Sequence, residues 1–176
     1  TAVSAGSFSA FAVGQCVAYS GSNVNDQDYV QWSDTVKSYL TVCDNGNYMR
    51  VQSGAIEGKL LVEYYSSDFE PLSTKLIDNE LPVFGAFYDS GNNYYVLSGQ
   101  ENPKQNDSLE VFRITKYDKN WNKIKSCGLY GANTTVPFDA GSARMTHSGD
   151  HLLVRTCHKM YKSSDGNNHQ ANVTIE

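Results

Sequence analysis

Internal similarity limits what this chain can fold into more than any single motif does, because a repeat fixes a building unit before any element is assigned. Residues 86–98 align without gaps on residues 144–156, at an offset of 58. Both stretches read as strand, Ser-Gly turn, strand, with the turns at Ser90-Gly91 and Ser148-Gly149. A fainter copy spans residues 40–51, where Asp44 and Gly46 fall 45 residues before Asp89 and Gly91. The stretches that follow also match. Residues 62–72 align on residues 114–124 at an offset of 52, each with a polar turn and then an aromatic, Phe69 or Trp121. The aromatic is expected to fold back onto its hairpin and pack the sheet.

Two hairpins in succession make a four-stranded unit of roughly 45–58 residues, the size and strand number of a propeller blade. The expected fold is all-β, with repeated four-stranded antiparallel sheets of β-propeller type that form part of a larger propeller. The expected divisions are an N-terminal segment 1–37, a first blade at 38–80, a second at 81–132 and an incomplete third at 133–176. The last blade is read as reaching its third strand at residues 172–175. In the N-terminal segment, residues 7–13 and 16–19 read as short strands, one of which can close a ring. Tyr29, Trp32, Val36 and Leu40 instead recur at helical spacing behind a cap at Asn25 or Asp26. The 12 Tyr and 14 Gly suit strands and turns. Closed propellers have at least about four blades, and an open array leaves strand edges bare. Three arrangements follow: a fragment of a longer protein, a ring completed by a second chain, or a smaller open sandwich.

A net charge of -5 and the lack of any long basic run disfavour nucleic-acid binding, which needs cations to displace counter-ions from phosphates. No apolar stretch approaches the roughly 20 residues that span a bilayer, so no membrane insertion is expected. Residues 1–6 are small and polar, unlike a signal peptide, and read as a mature N-terminus. Cys16, Cys43, Cys127 and Cys157 allow three pairings or none, and no C-x-x-C spacing marks a zinc or redox site.

Four runs carry a resemblance to a known group. They are Leu97-Ser98-Gly99-Gln100-Glu101-Asn102, Lys116-Tyr117-Asp118-Lys119-Asn120-Trp121, Phe138-Asp139-Ala140-Gly141-Ser142-Ala143-Arg144-Met145 and His169-Gln170-Ala171-Asn172. Over residues 39–176 the chain resembles bacterial secreted or cell-surface propeller-like repeat proteins. The resemblance implies a secreted or cell-surface location and a longer parent chain. It transfers no activity and no catalytic residue.

Polar residues within strand patterns point to chemistry, because burying them is unfavourable unless they are paired or used. Gln100 and His158 are equivalent at the offset of 58, followed by Glu101 and Lys159. Asp139 and Arg144 precede the first strand of the last unit, and His169 and Gln170 enter its third strand. Gln100, Glu101, Asp139, Arg144, His158, His169 and Gln170 are therefore the expected ligand-binding set, suited to a sugar or peptide. The competing reading is that these side chains satisfy backbone groups at strand ends. A nucleophile is poorly supported. Ser142 lies outside any G-x-S-x-G elbow, and Cys157 and His158 are strand neighbours that point to opposite faces. His147 and His151 flank one turn and are weak metal candidates. No cofactor is expected. Calcium is the weaker alternative, at Asn23, Asn25, Asp26 and Asp28 or at Asp165, Asn167 and Asn168, neither of which matches an EF-hand loop. Asn106, Asn133 and Asn172 head glycosylation sequons.

The leading functional expectation is an extracellular binding or adhesion module that recognises glycan or protein through one face of the array. Two alternatives stand beside it. One is a glycoside hydrolase or lyase using Glu101, Asp139 and His158, which needs two groups at a fixed separation. The other is a structural part of a larger surface assembly, with a second chain completing the propeller.

Overall fold

The computed structural model describes residues 35–139 and 143–176. Most of the N-terminal segment, including nearly all of the residues read as a helix or closing strand, lies outside them. Of that helical reading only the end is described, and there residues 38–42 are strand.

The described residues form twelve strands and no helix. They are β1 (Ser38–Val42), β2 (Tyr48–Ile56), β3 (Lys59–Tyr65), β4 (Pro71–Asp78), β5 (Val83–Asp89), β6 (Tyr94–Gly99), β7 (Glu110–Tyr117), β8 (Lys123–Tyr130), β9 (Thr134–Pro137), β10 (Arg144–Ser148), β11 (His151–Lys162) and β12 (Asn168–Ile175). They build three antiparallel sheets: A from β1–β4, B from β5–β8 and C from β9–β12. Sheets A and B follow the simple up-and-down order of a propeller blade. The chain divides into two compact units, one around Ser38–Ile77 and one around Asp78–Glu176.

The register shows the repeat directly. In sheet B, Ala86 faces Leu97, Phe87 faces Val96 and Tyr88 faces Tyr95. Shifted by 58, these become Arg144 facing Arg155, Met145 facing Val154 and Thr146 facing Leu153, the pairs found in sheet C. The fainter copy is only partly in step. Val51 keeps the offset of 45 from Val96, but its partner Tyr39 lies 48 residues before Phe87, so the β1–β2 hairpin is longer by three residues.

Sheet C departs from the four-row pattern. β9 and β10 lie one after the other along the same edge of the long β11, and β12 lies along the other. The sheet thus has three rows. β12 begins at Asn168, four residues earlier than the sequence reading placed it.

One turn recurs at four hairpin tips, spanning Cys43 to Asn47, Ser66 to Glu70, Asp118 to Asn122 and Ser163 to Asn167. In each, the first N–H donates to the fifth carbonyl and the fourth N–H to the first carbonyl, at 2.7–3.0 Å. The fourth residue is left-handed: Gly46 at φ 82°, Phe69 at 65°, Trp121 at 65° and Gly166 at 84°. Glycine adopts this conformation freely and L side chains pay a penalty. The aromatic tips are held by packing. Phe69 stacks on Tyr48 at 4.5 Å, and the Trp121 ring lies 4.8–5.8 Å from those of Tyr94, Tyr117 and Phe87.

Burial sorts the strands. The outer strands β4 and β8 are largely exposed, while β6 is buried on both faces. In sheet A, Arg50 pairs across the strands with the fully buried Glu63. Sheets B and C pack face to face around Phe138. This residue is buried at φ 58°, edge-on to Phe112 at 5.4 Å and pressed against the bare backbone of Gly85 and Gly99.

Candidate functional site

β11 separates two environments. Val154, Thr156 and His158 are buried against sheet B, whereas Arg155 is exposed, and Cys157 and Lys159 are half-exposed on the opposite face. Strand alternation produces this split, and cross-strand register extends it to the neighbouring strands. On the open face Arg155 lies between Arg144 and Thr174, Cys157 faces Asn172, and Lys159 lies between Val136 and Gln170.

Three of the expected site residues share this open face. Gln170 Nε2 donates to Asp139 Oδ2 at 2.7 Å, and Lys159 Nζ lies 3.8 Å from the same oxygen. Arg144 is exposed at the other end, with Nη1 donating to its neighbour's carbonyl at Ala143. Arg155 Nη1 donates to Thr174 Oγ1 at 2.9 Å. Among the described residues neither guanidinium pairs with a carboxylate.

The other expected residues lie elsewhere. His158 is 5% exposed on the buried face, its Nδ1 2.7 Å from Thr134 Oγ1. That hydroxyl donates to the Ala132 carbonyl at 2.9 Å, so the neutral imidazole donates from Nδ1. Gln100 Nε2 donates to the Glu110 carbonyl at 2.6 Å. Both side chains thus satisfy nearby protein groups. Glu101 is exposed. His169 is exposed and bonds Asp165 through Nε2 at 2.8 Å. Asp139 and His158 engage opposite faces of sheet C, so the residues of the hydrolytic reading do not converge. The flanking histidines of the Ser-Gly turn also part: His147 Nδ1 meets Tyr88 Oη at 2.7 Å, and His151 Nδ1 meets Glu176 Oε1 at 2.6 Å. Asp165 is engaged by Ser163, the Asn167 N–H and His169, which hold its carboxyl far below the usual range. Cys157 is a thiol that donates to Asn172 Oδ1 at 3.2 Å, and Cys127 is an exposed thiol. Among the described residues no three of His, Cys, Asp and Glu gather as a metal site would require.

Burial lowers the His158 pKa from its ordinary value near 6.5. The stability of the neutral buried ring is therefore fully present above about pH 6.5 and is lost as pH falls through the lower native value. Between urea titrations at pH 8 and pH 5, wild type is expected to lose more stability than His158→Gln. Equal losses would show that the ring titrates freely in the fold.

A polar junction flanks His158. Asn102, 1% exposed, donates its N–H to the Thr135 carbonyl at 2.7 Å and its side-chain amide to Tyr161 Oη at 3.0 Å. This ties the β6–β7 loop to β9 and β11. In the sequence Asn102 stands only at the end of a resemblance run, four residues past the aligned repeat, with no signal of this role.

Sequence reading also missed an open groove of about 570 Å³ beside sheets B and C. Lys116 and Lys125 line one side and Asp150 and Glu176 the other, with Tyr95 beneath Lys116 at 5.7 Å. Tyr95, Lys116 and Lys125 form one cross-strand row, which becomes visible only once the register is known. The groove's opposing charges offset one another.

No family model matches the chain, and no curated protein matches it. Among solved structures, one described as a GH43 beta-1,3-galactosidase is similar, with 13% sequence identity and a TM-score of 0.44. The similarity covers 80% of this chain and 31% of that one.

Proposed function

We propose that the chain is a binding module of a secreted or cell-surface protein, and that the open face of sheet C receives a polar ligand of the glycan type. The observation that carries this reading is the gathering of Asp139, Arg144, Lys159 and Gln170, with Arg155, Asn172 and Thr174, on one solvent-facing sheet surface. Amides, a hydroxyl and cations arranged in cross-strand rows match the hydroxyl pattern of a sugar chain lying across the strands. The surface is held by β-ladder hydrogen bonds, so little ordering is needed on binding.

A glycan array probed with the full chain tests this. Retention on a defined subset of saccharides is expected, reduced several-fold by Gln170→Ala. Silence across the array, or retention indifferent to Gln170→Ala, would reject this face as the binding surface.

A further inference from the structure

The open face of sheet C holds an electrostatic conflict. Arg144 and Arg155 stand directly opposite each other on β10 and β11. Directly opposed like charges destabilise a strand pair. Both side chains are exposed, and among the described residues no carboxylate neutralises either one. Elsewhere the protein does supply such partners: Arg113 is bridged by Glu80 and Glu110, Lys123 by Glu80, and Lys119 by Asp89. The conflict arises in a chain of net charge -5, where carboxylates outnumber cations.

Lys159 adds a third cation four residues beyond Arg155 on the same face, about 13 Å along the strand at roughly 3.3 Å per residue. Asp139 offsets it only at 3.8 Å. Thr174, Asn172 and Gln170 run alongside on β12 and supply uncharged hydrogen-bonding groups between the cations.

We propose that this face binds an acidic glycan, a saccharide chain bearing carboxylates, with one carboxylate held between Arg144 and Arg155. The inference rests on the binding reading above and names its ligand class. A carboxylate between two guanidiniums accepts charge-assisted hydrogen bonds from both and turns their repulsion into attraction. The flanking amides then address the sugar hydroxyls. A peptide anion would satisfy the arginines but leave that row of amides without hydroxyl partners.

The test is calorimetric titration of the full chain with an oligogalacturonate, its fully methyl-esterified form, the neutral hexose oligomer of equal length, and poly-glutamate. The oligogalacturonate is expected to bind most tightly, with an affinity that weakens as salt is raised. Arg155→Gln and Arg144→Gln are each expected to reduce that affinity about tenfold or more. Lys75→Gln, on β4, is expected to leave it unchanged. Far-ultraviolet circular dichroism of each variant checks that the fold is retained. Equal binding of the methyl ester, or unaltered affinity in both arginine variants, overturns the proposal. Poly-glutamate binding as tightly overturns the assignment to a glycan. Binding of the neutral oligomer alone overturns the acidic ligand while sparing the binding reading, and silence toward every saccharide removes both.

Discussion

Replacing Trp121 with alanine is expected to destabilise the protein by about 3–5 kcal/mol, the range for emptying a buried large aromatic site. The indole is only 5% exposed and touches the rings of Phe87, Tyr94 and Tyr117. It therefore joins the first three rows of sheet B to the tip of the β7–β8 hairpin. The equivalent Phe69→Ala is expected to cost about 1 kcal/mol, because Phe69 is 42% exposed where it stacks on Tyr48. Backbone conformation supplies a second signature. At φ 65° glycine is unstrained and alanine is not. Trp121→Gly should accordingly destabilise less than Trp121→Ala, reversing the usual order within β structure. Urea titrations of the three variants read both effects. Equal losses at positions 69 and 121, or an alanine variant more stable than the glycine one, would contradict this account of the turn.

Gly85→Ala is expected to cost about 1–3 kcal/mol, the range for overpacking a filled core. A β-carbon there would stand 2.4 Å from Phe138 Cζ and 2.6 Å from Cε1. The ring has little room to retreat, since it lies edge-on to Phe112 and close to Gly99. Phe138→Ala alone is expected to lose about 3 kcal/mol by opening a cavity. Combining the two separates causes. Without the ring, the added methyl no longer clashes, so Gly85→Ala should become nearly neutral in the Phe138→Ala background. An unchanged penalty there would mean that Gly85 is required by the bulge between Phe84 and Ala86, where the β5 register shifts.

Much of this architecture is legible in the residues, and the lapses have physical reasons. The offset of 58 carries over into cross-strand pairing because both hairpins keep the same number of residues between partners. The offset of 52 carries over for β3–β4 and β7–β8, whose bounds coincide after the shift at every end but the first. The offset of 45 misleads for β1. Asp44 and Gly46 mimic Asp89 and Gly91 at the turn, and the extra hairpin residues then move the whole strand. Gln100 and His158 illustrate a different limit. Their polarity marks them as unusual, yet only His158 lies within a strand while Gln100 follows the end of β6, and sequence does not say which face will be covered. Burial against sheet B turned His158 into a partner of Thr134 and left Lys159, next in sequence, on the outside. The Arg144–Arg155 opposition was within reach, since the repeat itself predicts that pairing, yet a charge conflict emerges only when register is read pair by pair.

The four copies of the five-residue tip show how one backbone solution serves two purposes. With Gly46 or Gly166 at the left-handed position the chain reverses without strain, but no side chain there anchors the tip. With Phe69 or Trp121 the same reversal is tethered by a ring lying on the sheet. Fraying is thereby graded from tip to tip. Amide protons at the two glycine tips should exchange with solvent soonest, and those at the Trp121 tip last, so the hairpins of one repetitive chain open on separate clocks.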